Sequence, residues 1–101
     1  MKISFDFDRT LERHRIKNLA INLYYCGHEI WIVTRRGIYK DTEINRDVFD
    51  VAQDCIIPKS RIKFCDKNKY HYLKDFDIHF DDDKLECELI NEHTNCKAIL
   101  I

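Results

Sequence analysis

Five short apolar segments, KISFDF (2–7), EIWIVT (29–34), RIKFC (61–65), DIHF (77–80) and KAILI (97–101), alternate with stretches whose apolar residues recur every three or four positions. The short segments are rich in β-branched and aromatic residues, which suit a pleated, buried surface and read as strands. Between the first two, Ile16, Leu19, Ala20 and Leu23 keep helical spacing, and Gly27 stands where a left-handed C-cap is expected. Ile44, Val48, Val51, Ala52 and Cys55 repeat the pattern ahead of Pro58, which argues against further helix. Shorter helices are predicted over about 68–76 and 84–93. Strand and helix in alternation imply a parallel sheet covered on both faces and joined by right-handed crossovers. The expected fold is a three-layer, Rossmann-like α/β domain with a five-stranded parallel sheet. In such domains ligands bind beyond the carboxyl ends of the strands, where the strand order switches direction.

Size and composition narrow the functional classes. At 101 residues the chain has room for a single domain, 1–101, and its two glycines and one proline leave no linker. Lys plus Arg (17) nearly balances Asp plus Glu (18), so no global field argues for nucleic acid or membrane, although a local basic patch is compatible with that balance. No apolar run is long enough to cross a bilayer, and the first strand reaches the charged DFDR at once, unlike a signal peptide. A cytoplasmic protein without a membrane partner is expected. Its five cysteines are odd in number and never spaced C-x-x-C, so they read as reduced, buried side chains.

Polar chemistry collects at the strand ends. The first ends in Asp6, Phe7, Asp8, Arg9 and Thr10, and the second in Thr34, Arg35 and Arg36. The third is followed by Asp66, Lys67 and Lys69, and the fourth by Asp81, Asp82 and Asp83. If Asp6 and Asp8 both belonged to the strand they would share one face, and each would raise the other's pKa unless something positive absorbed the charge. A hard divalent ion such as Mg²⁺ suits clustered carboxylates, and the threonine, lysine and arginine donors suit phosphate oxygens. Together these imply phosphoryl transfer with one aspartate free to be the nucleophile. Taken singly, each motif also fits an ordinary solvated turn or a helix cap.

As an ordered set the motifs resemble those of the haloacid dehalogenase (HAD) superfamily, dominated by Mg²⁺-dependent phosphatases. DFDRTL resembles its Asp-x-Asp-x-Thr first motif, WIVTRR its second, KNKYHYLK the region of its third and HFDDDKLE its fourth. The resemblance implies that Asp6 is the nucleophile, forming an aspartyl-phosphate, and that Asp8 is the general acid and then base. Thr34 would hydrogen-bond the phosphoryl group and Lys69 balance its charge, with Lys67 as the alternative lysine; Arg35 joins them as a phosphate-binding cation. The metal set implied is Asp6, the main-chain carbonyl of Asp8, and Asp82 directly with Asp81 in support, the order of the last two being open.

The chain also departs from that pattern. Arg9 and Arg35 stand where glycine is usual, placing bulky cations at the mouth of the site, suited to an anionic substrate such as a nucleotide or nucleic-acid end. Neither usual insertion point leaves room for a cap domain. Capless relatives have open sites, which act on large substrates or are closed by a partner subunit, including a second copy in a homo-oligomer. GHEIWIVTRR followed by HFDDD is further similar to the phosphatase domain of phage-type polynucleotide kinase. The expected function is therefore Mg²⁺-dependent hydrolysis of a phosphomonoester, against the alternative of a catalytically inactive binding or regulatory module. His79 is expected to be a hydrogen-bonded residue of the core or of the site's surroundings, and Tyr39 and Arg46 are candidates for lining a substrate groove.

Overall fold

Ile3 and Phe5 face one side of the first strand and Ser4 the other, and all three are buried, as in a central strand covered on both faces. The computed structural model describes residues 1–36 and 43–101. In it this strand, β1 (Lys2–Phe5), is the middle of a parallel sheet with β2 (Glu29–Thr34), β3 (Ile62–Phe64), β4 (Ile78–Asp81) and β5 (Lys97–Leu100). The order is β3-β2-β1-β4-β5. The chain therefore builds outward from β1 to β3, then crosses back to add β4 and β5 on the other side. The direction switches between β1 and β4, the place where an open α/β sheet leaves a crevice at its carboxyl edge.

Helices α1 (His14–Tyr25) and α2 (Arg46–Asp54) share one apolar cluster with Ile3, Phe5, Ile30 and Ile32. Helix α3 (Lys84–His93) belongs to a second, with Val33, Cys65, Leu73 and Ala98. Because neighbouring strand residues point to opposite faces, the two clusters lie on opposite sides of the sheet. This is a compact α/β arrangement consistent with a Rossmann-like fold. At its centre Phe5 stacks on Phe80 of β4, ring centroids 4.9 Å apart, which ties the two strands that flank the switch. All five cysteines are free, four of them buried, and among the described residues no helix is long and apolar enough to cross a membrane.

Local signals account for most boundaries. Helix α1 ends where Gly27 takes φ +94°, its N–H donating to the Tyr24 carbonyl (3.0 Å) while His28 N–H reaches that of Leu23 (3.1 Å). That pair of bonds satisfies carbonyls the helix leaves open. Helix α2 begins at Arg46, so Ile44 lies ahead of it and is 65% exposed. The helix expected over 68–76 does not form: a tight turn, Lys69–His71, closes with Tyr72 N–H on the Lys69 carbonyl (2.8 Å), and another follows from Leu73 to Phe76. Lys69, Leu73 and Phe76 are all buried, and the Lys69 main chain is itself held from another element, demands that an isolated nine-residue amphipathic helix is too short to outweigh.

Two substitutions test this account by urea unfolding. Gly27→Ala should cost about 1 kcal/mol, from backbone conformation alone, since a Cβ there would meet nothing within 4 Å. Phe5→Ala, which empties a site with no exposure, should cost about 3–5 kcal/mol.

Candidate functional site

The chain leaves β1 in a way that separates the two leading aspartates. Asp6 N–H still donates to the Phe80 carbonyl at 2.8 Å, carrying the β1–β4 contact one residue past the strand. The Asp6 carbonyl then accepts from Leu11 N–H at 3.2 Å, closing a wide turn over Phe7–Leu11 in which Arg9 takes φ +59°. Phe7 and Leu11 anchor that turn in the core. The two aspartates therefore do not share a strand face: the strand expected to run through Phe7 stops at Phe5, Asp6 is buried at 7% exposure, and the Asp8 side chain is half exposed.

Lys69 occupies the centre. It is 2% exposed, and its Nζ lies 2.6 Å from Asp6 Oδ1 and 2.7 Å from Asp81 Oδ2. Its N–H donates to Glu86 Oε2 at 3.1 Å. Thr10 Oγ1 donates to the other oxygen of Asp6 at 3.1 Å. Asp81 has more donors: His79 Nε2 at 2.8 Å, Lys69, and the N–H of Asp83 at 3.0 Å on Oδ1. The two carboxyls are shifted in opposite directions. Burial pushes the Asp6 carboxyl up to about 7, against Lys69 and with the nearby charge of Asp81 adding to the rise. Burial acts the same way on Asp81, but the His79 bond and the Lys69 charge outweigh it and hold the group low, at about 2. Lys69 is raised despite its burial because both carboxylates favour its charged form.

Asp6, Asp81 and Asp82 each offer an oxygen within 4.8 Å of the others. Fully ionised, the three exceed the charge of Lys69 by two, and the cation on Asp82, Arg9 at 3.1 Å, is 79% exposed in its side chain, so its pull is screened. A hard divalent cation fits this all-oxygen set, in which partial protonation of Asp6 is the alternative. Asp82 accepts from Arg9 whereas Asp81 is surrounded by three donors, so Asp82 is the less engaged carboxylate. The Asp8 carboxylate lies outside the group.

A cavity of about 350 Å³ opens over these residues, with Thr34, Arg35 and Arg36 on its β2 side. Thr34, 1% exposed, ends β2. Arg35 Nη1 donates to Asn68 Oδ1 (2.7 Å) and Glu86 Oε1 (3.1 Å). Arg36 grips Asp8 through Nε (3.1 Å) and Nη2 (2.7 Å) and Asp47 of α2 at 2.8 Å, which raises its own pKa and lowers that of Asp47. Lys67 is exposed, 5.9 Å from the centre of the Tyr72 ring, so Lys69 alone of the two lysines enters the cluster. Arg46 is exposed at the start of α2 and does not line this cavity; Tyr39 falls outside the described residues.

Three participants were not legible as such. Glu86 stands three residues after Asp83, the spacing of a capping box; Asp83 does cap α3, accepting from Leu85 and Glu86 N–H, but the Glu86 side chain turns instead to Lys69 and Arg35. Ser4 lies inside an apolar strand with no signal beyond its polarity. Thr10, which the sequence places after the first strand without a role of its own, serves Asp6. No protein-family model, curated protein or solved structure matches this chain.

Lys69→Met should destabilise the metal-free protein by about 3–5 kcal/mol at neutral pH, because it strands buried carboxylates without their cation. Urea unfolding in chelator, compared with wild type, measures this. Arg9→Gly should be neutral or stabilising by up to about 1 kcal/mol in the same assay, since it removes a left-handed non-glycine residue and only an exposed ion pair.

Proposed function

We propose that this chain is a capless HAD-type phosphatase that hydrolyses a phosphomonoester through an aspartyl-phosphate on Asp6, with Mg²⁺ as cofactor. The observation that carries this reading is a nucleophile-sized carboxylate, Asp6, held beside a buried lysine and two further acids at the strand-order switch, under an open cavity. Asp6, Asp82 and Asp81 would hold the metal, with the Asp8 main chain completing the set in relatives of this type. When bound, Mg²⁺ supplies charge neutralisation for the carboxylates and for the phosphate oxygens.

The residues then have separable tasks. One oxygen of Asp6 attacks phosphorus and the bond to the leaving alkoxide breaks, as Asp8 gives the alkoxide oxygen a proton. Asp8 next takes a proton from water, whose oxygen attacks phosphorus, and the bond to Asp6 breaks to release phosphate. Lys69 and Thr34 stabilise the charge on the transferring group, and Arg35, fixed by Glu86 and Asn68, adds a cation at the rim. For Asp8 to act it must leave Arg36, which keeps Asp47 as a second partner. Arg9 and Arg35 at an uncapped mouth favour a polyanionic substrate, a nucleotide or nucleic-acid end.

The second reading, a binding module without turnover, draws on the same Arg36–Asp8 contact, which occupies the group that must carry the proton. The two readings differ in one assay: phosphate release from nucleotides, sugar phosphates and 3′-phosphorylated oligonucleotides, with Mg²⁺ or chelator. A phosphatase releases phosphate only with the metal, and Asp6→Asn lowers the rate by about 10³-fold or more while remaining folded. Undiminished release by Asp6→Asn rules out the nucleophile, and saturable binding of a panel member without release by wild type supports the binding module.

A further inference from the structure

One fully buried polar side chain near the site has no task in the reaction above. His79 has no exposure and stands on β4 two residues before Asp81, so both side chains project from the same face of the sheet. Its Nε2 is 2.8 Å from Asp81 Oδ2 and its Nδ1 is 2.7 Å from Ser4 Oγ. Ser4 is its register partner on β1. A carboxylate only accepts, so Nε2 carries the proton; Nδ1 is then the acceptor for the Ser4 hydroxyl. Both ring nitrogens are used, and the ring's position and tilt are thereby set from two strands.

The surrounding row makes this pair conspicuous. The next residues across the sheet are Trp31 beside Ser4 and Ala98 beside His79, and that face otherwise carries Val33, Leu73 and Ile90. Packing alone would be met by apolar side chains, and a buried imidazole and hydroxyl are costly unless fully bonded. What the pair reaches is Asp81, whose Oδ2 also receives Lys69 Nζ at 2.7 Å and whose Oδ1 receives the Asp83 N–H at 3.0 Å. With His79 in place both oxygens of the carboxylate are bonded, one of them twice, and Lys69 bridges it to Asp6.

We propose that Ser4 and His79 are a positioning pair that fixes the Asp81 carboxylate, and through it Lys69, for binding a divalent cation and for the phosphoryl chemistry, the latter part resting on the phosphatase reading. His79 touches neither substrate nor metal. Its effect passes through Asp81, as outer partners of metal-binding carboxylates generally act.

The experiment is Mg²⁺ titration by calorimetry on the full chain, with phosphate release in parallel, for wild type, His79→Phe, His79→Gln and Ser4→Ala, each checked for folding by circular dichroism. His79→Phe, which fills the space without a donor, should weaken Mg²⁺ binding about 10- to 100-fold. His79→Gln, whose amide N–H can replace the Nε2 donor, should recover most of that loss. Ser4→Ala, which releases the ring, should weaken binding about 3- to 10-fold. In wild type the Nε2-bound proton should give a slowly exchanging nitrogen-correlated resonance that moves on Mg²⁺ addition. Unchanged Mg²⁺ affinity in folded His79→Phe overturns the proposal; if that variant does not fold, unchanged affinity in Ser4→Ala does so. A wild type that binds no Mg²⁺ overturns both this proposal and the metal-dependent phosphatase reading. Mg²⁺ binding without turnover removes the phosphatase reading alone, and the affinity series still decides the role of the pair.

Discussion

Lys69 Nζ is buried between two carboxylates that reach it from different strands, Asp6 after β1 and Asp81 at the end of β4. Burial of this kind is weak as a source of net stability, because desolvating three charges offsets most of their attraction. Its force lies in what it forbids. Each charge is costly to bury without its opposite, so the acids and the lysine hold one another in place. The turn over Lys69–His71, the buried Glu86 that accepts from the Lys69 N–H and the extension of β1 pairing to Asp6 hold the groups that surround that ammonium.

The sheet brings these groups together through register. Phe5 sits opposite Phe80, so the residues that follow each of them emerge side by side at the carboxyl edge. A slip of one residue between β1 and β4 would send one of the acids to the other face, and the Phe5–Phe80 stack makes that slip expensive. The strand order adds the opening: β1 and β4 belong to halves of the sheet built in opposite directions, so the connections beyond them diverge and leave a crevice above the acids. Core packing and site geometry are therefore set by the same contacts.

Around the cluster, the arginines carry a different kind of restraint. Arg35 and Arg36 follow each other at the end of β2, yet one is drawn toward Glu86 on α3 and the other toward Asp8 and Asp47 on α2. The cavity wall is thus tied to helices on both sides of the sheet, and two consecutive side chains divide between fixing the rim and restraining Asp8. Arginine suits both tasks because its planar fork holds a carboxylate at two points while staying charged.

The strand–helix alternation, hence the parallel α/β sheet, and the gathering of Asp6, Thr34, Asp81 and Asp82 at strand ends are legible in the sequence, because these depend on local periodicity and on the fixed polarity of crossover connections. EIWIVT is a strand over the very residues expected, and Gly27 ends α1 as its missing Cβ allows. What each polar group does came from the packing of distant elements. That packing separated Asp8 from Asp6 by ending β1 at Phe5, placed Lys69 rather than Lys67 in the cluster, replaced an expected helix by tight turns, and set the Glu86 side chain against the Lys69 main chain. These outcomes rest on contacts between residues up to 75 positions apart, as between Ser4 and His79, and no local pattern encodes which buried donor will meet which acceptor.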